Sequence, residues 1–347
     1  MDKRSRNLGI ELFRVLCMLG IVCYHLLGHG WIIQQLHPQT WKYEMAKVLE
    51  SVSLCGVTGF ALVSGYTGVQ GRTRYASLAL QWMKVWLYSM GFTLLAAWIH
   101  PGAVSREDMI SACFPVLQRQ YWYFSAYAGC FLMTPFIKSG YQQMNRRQAT
   151  ISVGLLLAAF CVLNPVSGKN PFDVGNGKNT LWLIVMYVLG AYLKAFDAMR
   201  SVQTWKLAAL AALGVCAQSV GALYGLNQGS MPTAVWMSAM LLLLFARIPV
   251  KRGKRLAAWL GASSFGVYLI HDHAVVRQSV LFRYVAQLAG VPKAFFIPAI
   301  VLTAAGIYLC CAGVDALRER LFVALRLRER LYALEEKWLG SGECPSK

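Results

Sequence analysis

The stretch GIELFRVLCMLGIVCYHLLGHGW, residues 9–31, decides the fold class of this chain. A helix needs about 20 predominantly apolar residues to cross the hydrocarbon core of a bilayer, and this stretch is long enough. It also carries Glu11, Arg14 and His25, although ionisable side chains at membrane depth cost free energy unless they are paired or hydrated. We therefore interpret it as a membrane-spanning helix with a functional face, and not as a cleaved signal peptide.

The composition extends this interpretation to the whole chain of 347 residues. Hydrophobic residues make up 57% of it and charged residues only 14%, which excludes an intrinsically disordered chain. Further apolar segments of similar length follow the first one. We predict an all-α polytopic membrane protein with about ten transmembrane helices, at residues 9–31, 46–67, 76–99, 121–138, 149–165, 180–196, 205–225, 232–247, 256–273 and 294–315.

The distribution of positive charge predicts the orientation. The chain has 34 lysine and arginine residues against 15 acidic ones, and the basic residues form short runs between the apolar segments. Cytoplasmic loops of membrane proteins carry an excess of lysine and arginine, so we predict that both termini lie in the cytoplasm. This pattern accounts for the net charge of +19, and the alternative is that the charge collects an anionic, phosphate-bearing substrate. We expect no nucleic-acid partner.

We divide the chain into a membrane domain at 1–315 and a cytoplasmic tail at 316–347. In the tail, leucines recur at helical spacing between arginines over 316–338, which is typical of an amphipathic helix lying on the inner leaflet. The ten cysteines show neither the spacing of a metal site nor that of a disulfide framework, so we expect no metal.

Three ionisable residues of the first span lie near one helix face. Glu11 and Arg14 are three residues apart and are expected to pair. His25 lies close to the same face, about 16 Å from Arg14 along the helix axis. Because an intramembrane histidine is rare and titrates near neutrality, His25 is a candidate for function. The alternatives are a boundary pair with a snorkelling arginine, and a helix-to-helix hydrogen bond for His25.

Basic residues in and before the third span are the next candidates. Lys84 is expected to pair with Glu11 or to contact an anionic ligand, although snorkelling would also explain it. Arg72 and Arg74, in the preceding loop, either contribute to binding such a ligand or only satisfy the orientation rule.

Histidine and aromatic side chains mark the predicted outer boundary. His271, Asp272 and His273 end the ninth span, but adjacent helical residues do not face one another, so we expect no joint metal site there. Trp122 and Tyr123 open the fourth span, where interfacial aromatic residues are expected whatever the function.

The motifs and their order resemble the acyltransferase-3 family of integral-membrane acyltransferases, which includes O-antigen and exopolysaccharide O-acetyltransferases. The first span is similar to the family's Asp/Glu-x-x-Arg start and its Arg-x10-His spacing. Three further motifs carry the resemblance. GFALVSGYTG (59–68) contains Phe-x-x-x-Ser-Gly, QYWYFSAYAGCFLMTPFI (120–137) contains Trp-Tyr, and LGASSFGVYLIHDH (260–273) contains the late Tyr-Leu-x-His.

The resemblance implies a membrane O-acyltransferase that moves an acyl group, expected to be acetyl, from acyl-coenzyme A on the cytoplasmic side to a hydroxyl of a cell-envelope or lipid-linked glycan. It also implies that Arg14 and His25 are required. We expect a multi-pass protein of the bacterial cytoplasmic (inner) membrane that contacts lipid, with a homo-oligomer as an open alternative to a single copy.

Roles follow from this resemblance. His25 is expected to be the general base, with a covalent acyl-histidine as the other route, and Glu11 is expected to orient Arg14. Basic residues are expected to bind the donor, acetyl-coenzyme A, and they are Arg14, Arg72, Arg74 and Lys84. Two aromatic residues and a histidine are expected to bind the acceptor, and they are Trp122, Tyr123 and His271. The alternative function is a multispan transporter of a small anion or amino acid.

Overall fold

The structure is a computed structural model that describes residues 7–102, 104–167, 169–225, 231–278 and 282–340. All regular secondary structure in these residues is helical. The α-helices are α1 (Leu8–Gly28), α2 (Trp41–Ser53), α3 (Cys55–Gly68), α4 (Tyr75–Ile99), α5 (Arg106–Cys113), α6 (Trp122–Gln143), α7 (Arg146–Leu157), α8 (Asn164–Ser167), α9 (Thr180–Ala195), α10 (Thr204–Leu223), α11 (Pro232–Ala246), α12 (Lys254–His271), α13 (Ala274–Val276), α14 (Phe282–Val285), α15 (Lys293–Ala324) and α16 (Leu327–Leu339).

A helix lies at each of the ten predicted segments. Within the described residues, five helical stretches are long and apolar enough to cross a membrane: Leu8–Gln35, Trp41–Gly68, Arg146–Leu163, Thr204–Leu223 and Lys293–Ala324. Two shorter apolar helices are Thr180–Ala195 and Pro232–Ala246. The fold is therefore an all-helical membrane protein, while the count of ten spans and the orientation of the termini remain predictions.

α1 lies at the centre of the helix packing and contacts α2, α3, α11, α12 and α15. Its start is fixed by Asn7, whose side chain accepts a hydrogen bond from the backbone N–H of Gly9 at 3.0 Å. The same side chain donates to the carbonyl of Ala246, at the end of α11, at 2.8 Å. This cap satisfies backbone donors that a helix otherwise leaves unpaired, and it anchors α1 to a neighbouring helix.

Glycine permits the closest helix contacts. Gly65 of α3 and Gly190 of α9 face backbone atoms of the opposite helix so closely that a Cβ at either position would overlap them. On the other side of α1, Gly261 of α12 lies directly against Glu11. These contacts hold α3 against α9 and α12 against α1, and the second contact brings the helices of His25 and His271 together.

The predicted tail is helical, but it packs on the protein. α15 passes through the expected boundary at 315/316 without a break and ends at Ala324. Arg326 then adopts a positive φ of 50°, and α16 turns back against α4. Glu335 of α16 accepts a hydrogen bond from the backbone N–H of Tyr75 at 2.9 Å, so the tail provides the cap of α4.

Candidate functional site

A cavity of about 1420 Å³ lies among α1, α4, α6, α12 and α15. One end, here the histidine end, is lined by His25, His29 and Asp272, and the other, the basic end, by arginines of α15 and α16. α4 runs alongside the cavity and gives its scale: the first turn of α4 bonds to α16, which carries Arg328, and the carbonyl of Ser89 contacts His273, next to Asp272. At a rise of 1.5 Å per residue, these points of α4 lie about 20 Å apart.

Two buried histidines form a relay at the histidine end. Nδ1 of His271 lies 2.6 Å from the carbonyl oxygen of Val267, which can only accept, so Nδ1 carries the proton. Nε2 of neutral His271 is then an acceptor, and Nδ1 of His25 donates to it at 2.9 Å. It follows that Nε2 of neutral His25 carries the lone pair. The relay presents His25 as a base of fixed orientation.

Asp272 and His29 surround His25. Oδ1 of Asp272 lies 3.6 Å from Nδ1 of His25 and 3.4 Å from a guanidinium nitrogen of Arg277. The rings of His25 and His29 have centroids 5.0 Å apart. His25, His29 and Asp272 each offer a possible metal ligand, and these atoms lie within 4.8 Å of one another. Asp272 already pairs with Arg277, and His25 already bonds to His271. We therefore keep the prediction that no metal binds here.

The last residue of α12 and the two residues that follow it contact different partners. His271 bonds to His25, and Asp272 lies between His25 and Arg277. His273 donates from Nε2 to the carbonyl of Ser89 at 3.3 Å, and its Nδ1 accepts from a backbone N–H of α13. His271 is fully buried and does not line the cavity, so its contact in the structure is with His25.

Arg14 lines the cavity between its two ends and is paired as the spacing predicts. Its guanidinium lies 2.8 Å from Oε1 of Glu11, on the preceding turn of α1. Glu11 is buried and Arg14 is partly exposed, so the carboxylate orients the guanidinium toward the open space.

Lys84 has a different partner from the one expected. Its Nζ lies 3.0 Å from Asp315, and Glu11 takes no part in this ion pair. Arg318 contacts both oxygens of Asp315 at 2.9 Å, and Tyr88 donates its hydroxyl at 2.7 Å. Asp315 was not selected from the sequence, because this residue stands at the predicted domain boundary. An acidic residue at the end of an apolar segment is nevertheless a signal that could have identified it.

Aromatic side chains form one wall of the cavity. Trp122, Tyr123 and Tyr127 of α6 line it together with Tyr268 of α12. The rings of Tyr123 and Tyr268 have centroids 6.1 Å apart. The buried hydroxyl of Tyr268 lies near the backbone N–H of Tyr123, but it donates no hydrogen bond among the described residues. A buried donor without an acceptor is costly, and here it lies where a bound ligand can satisfy it.

The basic end is formed by arginines that the sequence analysis placed only in the tail. Arg318, Arg320, Arg326 and Arg328 line the cavity. Arg318 is held by Asp315, whereas the side chains of the other three have no hydrogen bond or ion pair within the described ranges. Three guanidinium groups therefore remain available for an anion at this end.

Arg72 and Arg74 contact the tail helix and are not among the lining residues. Arg74 lies 3.1 Å from Glu336, and Arg72 donates to the carbonyl of Gly340 at 3.3 Å. In the structure, these bonds hold α16 in place. A contact of Arg72 and Arg74 with the donor stays a prediction.

A family model described as an acyltransferase domain matches residues 7–315 of the chain. The match spans the first helix and the cavity residues up to Asp315, and the arginines of the basic end beyond Asp315 follow it. No curated protein and no solved structure matches the chain.

Asp315 pairs with both Lys84 and Arg318, and Arg318 also pairs with the exposed Glu319, so we predict that the loss of Asp315 costs more stability than the loss of Lys84. The substitution Asp315→Asn should lower the free energy of unfolding by about 3–5 kcal/mol, because buried Lys84 loses its counter-ion and Arg318 keeps only the exposed Glu319. Lys84→Met should cost less, since Asp315 keeps Arg318 and Tyr88. Thermal unfolding of the purified protein in detergent measures both, with the exposed Asp197→Asn as the control. Equal losses for the two variants would contradict this account.

Proposed function

The chain belongs to the acyltransferase-3 family, and from this premise we propose that it transfers an acyl group from acyl-coenzyme A to a hydroxyl of a cell-envelope or lipid-linked glycan. The observation that carries the proposal is the cavity itself, which joins a basic end to a buried histidine with an available lone pair. More specifically, we propose that the acyl group is acetyl and that the protein lies in the bacterial inner membrane. The comparisons give no support to the transporter alternative.

The donor fits the basic end by charge. Coenzyme A carries several phosphate charges, and guanidinium groups bind phosphate oxygens through paired, charge-assisted hydrogen bonds. Arg320, Arg326 and Arg328 have no acidic partner within the described residues and line this end. The pantetheine arm then extends toward the histidine end, over a separation of about 20 Å. This arrangement brings the thioester to His25 while the phosphates stay at the basic end.

The acceptor sugar enters at the histidine end. Trp122 and Tyr123 line the cavity beside this end and offer ring faces for stacking against a sugar. In the orientation predicted from the basic residues, this end faces away from the cytoplasm. The donor and the acceptor thus approach the reacting atoms from opposite sides of the membrane.

The proposed reaction is direct acyl transfer. Nε2 of His25 removes the proton of the acceptor hydroxyl as its oxygen attacks the thioester carbonyl carbon. The carbon–sulfur bond then breaks, and the coenzyme A thiolate takes the proton back from His25. The products are the acyl ester and free coenzyme A. His271 holds His25 in the tautomer that this step needs, as a positioning residue.

Tyr268 supplies the stabilisation that the carbonyl oxygen needs. Negative charge develops on that oxygen during attack, and a buried donor aimed at it lowers the barrier. Tyr268 lines the cavity, and its buried hydroxyl donates no hydrogen bond within the described chain, so the thioester carbonyl is its proposed acceptor.

The direct test is transfer of label from radiolabelled acetyl-coenzyme A into the glycan fraction of inverted membrane vesicles. We predict label with the wild type and none with His25→Ala. His271→Leu should lower the rate by about 10²–10⁴-fold, and His271→Gln by less, because the glutamine oxygen still accepts from Nδ1 of His25. The exposed His100→Ala is the matched control.

Thermal unfolding of each histidine variant separates lost chemistry from lost folding. Label retained by a folded His25→Ala protein would remove His25 as the base. Vesicles that transfer no label but accumulate a solute would instead support the transporter.

A second prediction separates catalysis from stability at Tyr268. The substitution Tyr268→Phe removes a hydroxyl that donates no hydrogen bond in the described protein, so stability should be unchanged or slightly higher. The turnover number should nevertheless fall by about 10²–10³-fold, as for the loss of one oxyanion donor. Tyr121→Phe is the matched control, because its hydroxyl is also buried and unpaired but does not line the cavity. Equal activity of the two variants would exclude this role.

A further inference from the structure

Three cationic side chains converge at the histidine end of the cavity. Arg119 precedes α6, Lys178 precedes α9 and Arg277 follows α13, and all three line the cavity. Lys178 reaches Tyr24, the residue before His25, and Arg277 pairs with Asp272. Arg119 stands next to Gln120, which accepts a hydrogen bond from Ser89, the residue of α4 that contacts His273. Asp272 is the one acidic side chain among the described residues that line this end. Positive charge is therefore in excess where the acceptor is proposed to bind.

The charge of this end has no explanation in membrane topology. The predicted orientation places these residues in outer segments, and lysine and arginine are enriched in cytoplasmic loops. Other basic residues assigned to outer segments, including Arg106 and Lys169, do not line the cavity. The concentration of cations around His25 thus belongs to the site.

The partners of the three cations leave them available to a ligand. Arg119 has no side-chain hydrogen bond or ion pair within the described residues. Lys178 donates to the neutral hydroxyl of Tyr24 at 3.1 Å, which leaves its charge uncompensated. Arg277 reaches Asp272 at 3.4 Å, and its buried Nε has no hydrogen-bond partner in the described chain. One carboxylate therefore faces three cations.

From this convergence we infer that the acceptor carries an oxyanion, a phosphate or a carboxylate, which Arg119, Lys178 and Arg277 bind beside the reacting hydroxyl. The inference rests on the proposed acyl transfer and names the chemical class of its acceptor. Guanidinium groups recognise both anions with paired hydrogen bonds, and the lysine adds a point charge. The two sources of such a group are the phosphate of a lipid-linked sugar and the carboxylate of an acidic sugar.

Binding of matched neutral and anionic probes to the purified protein tests this inference without any donor. One pair is farnesyl phosphate and farnesol, and the other is cellobiouronic acid and cellobiose. We expect the anionic member of one pair to bind at least about tenfold more tightly, as for one charge-assisted hydrogen bond. The pair that shows the preference identifies the source as phosphate or carboxylate.

Variants locate the bound anion. Arg119→Gln and Lys178→Gln should each weaken the anionic probe about tenfold and leave the neutral probe unchanged. Arg106→Gln and Lys169→Gln are the matched controls, since both residues lie outside the cavity lining, and thermal unfolding verifies that every variant is folded. Equal binding within both pairs would overturn the inference. A preference that survives in both cavity variants would also overturn it. So would a preference that Arg326→Gln removes, because the anion would then bind at the basic end.

The labelled-donor assay on the same proteins separates this inference from the proposed function. Anion preference without acyl transfer would contradict the proposed function alone. Acyl transfer by a protein that shows no anion preference would overturn the inference alone.

Discussion

The site depends on one hydrogen bond, from Nδ1 of His25 on α1 to Nε2 of His271 on α12. The carbonyl of Val267 fixes the proton of His271, and this fixes the tautomer of His25 in turn. The bond requires α12 to lie close along α1, which the contact between Gly261 and Glu11 permits. Helix packing and the protonation of the proposed base are therefore consequences of the same arrangement.

Buried charge sets the second constraint. Asp315 holds Lys84 and Arg318 inside the protein, at the point where the last apolar run of α15 continues toward α16. Unpaired cations in this position would cost several kcal/mol, so the carboxylate is needed for the fold as well as for the shape of the cavity. α16 then closes against α4, which leaves Arg326 and Arg328 along the mouth of the basic end.

The sequence predicted the features that depend on local spacing. The positions of the helices follow from the apolar segments, and the pair of Glu11 and Arg14 follows from the helical repeat. The family resemblance, read from motifs in order, is confirmed by the match over 7–315. Features that join distant segments were not predictable. No local pattern relates His25 to His271, which are 246 residues apart, or Lys84 to Asp315, which are 231 apart.

The central claim is that the donor lies along the cavity with its phosphates at the basic end and its acyl group at His25. The most direct measurement is an electron cryo-microscopy structure with a non-hydrolysable acetyl-coenzyme A analogue that carries a ketone in place of the thioester. We expect the phosphates to lie against Arg320, Arg326 and Arg328, and the carbonyl oxygen to lie within hydrogen-bonding distance of the Tyr268 hydroxyl. A carbonyl that remains at the basic end, or an analogue bound outside the cavity, would contradict the account.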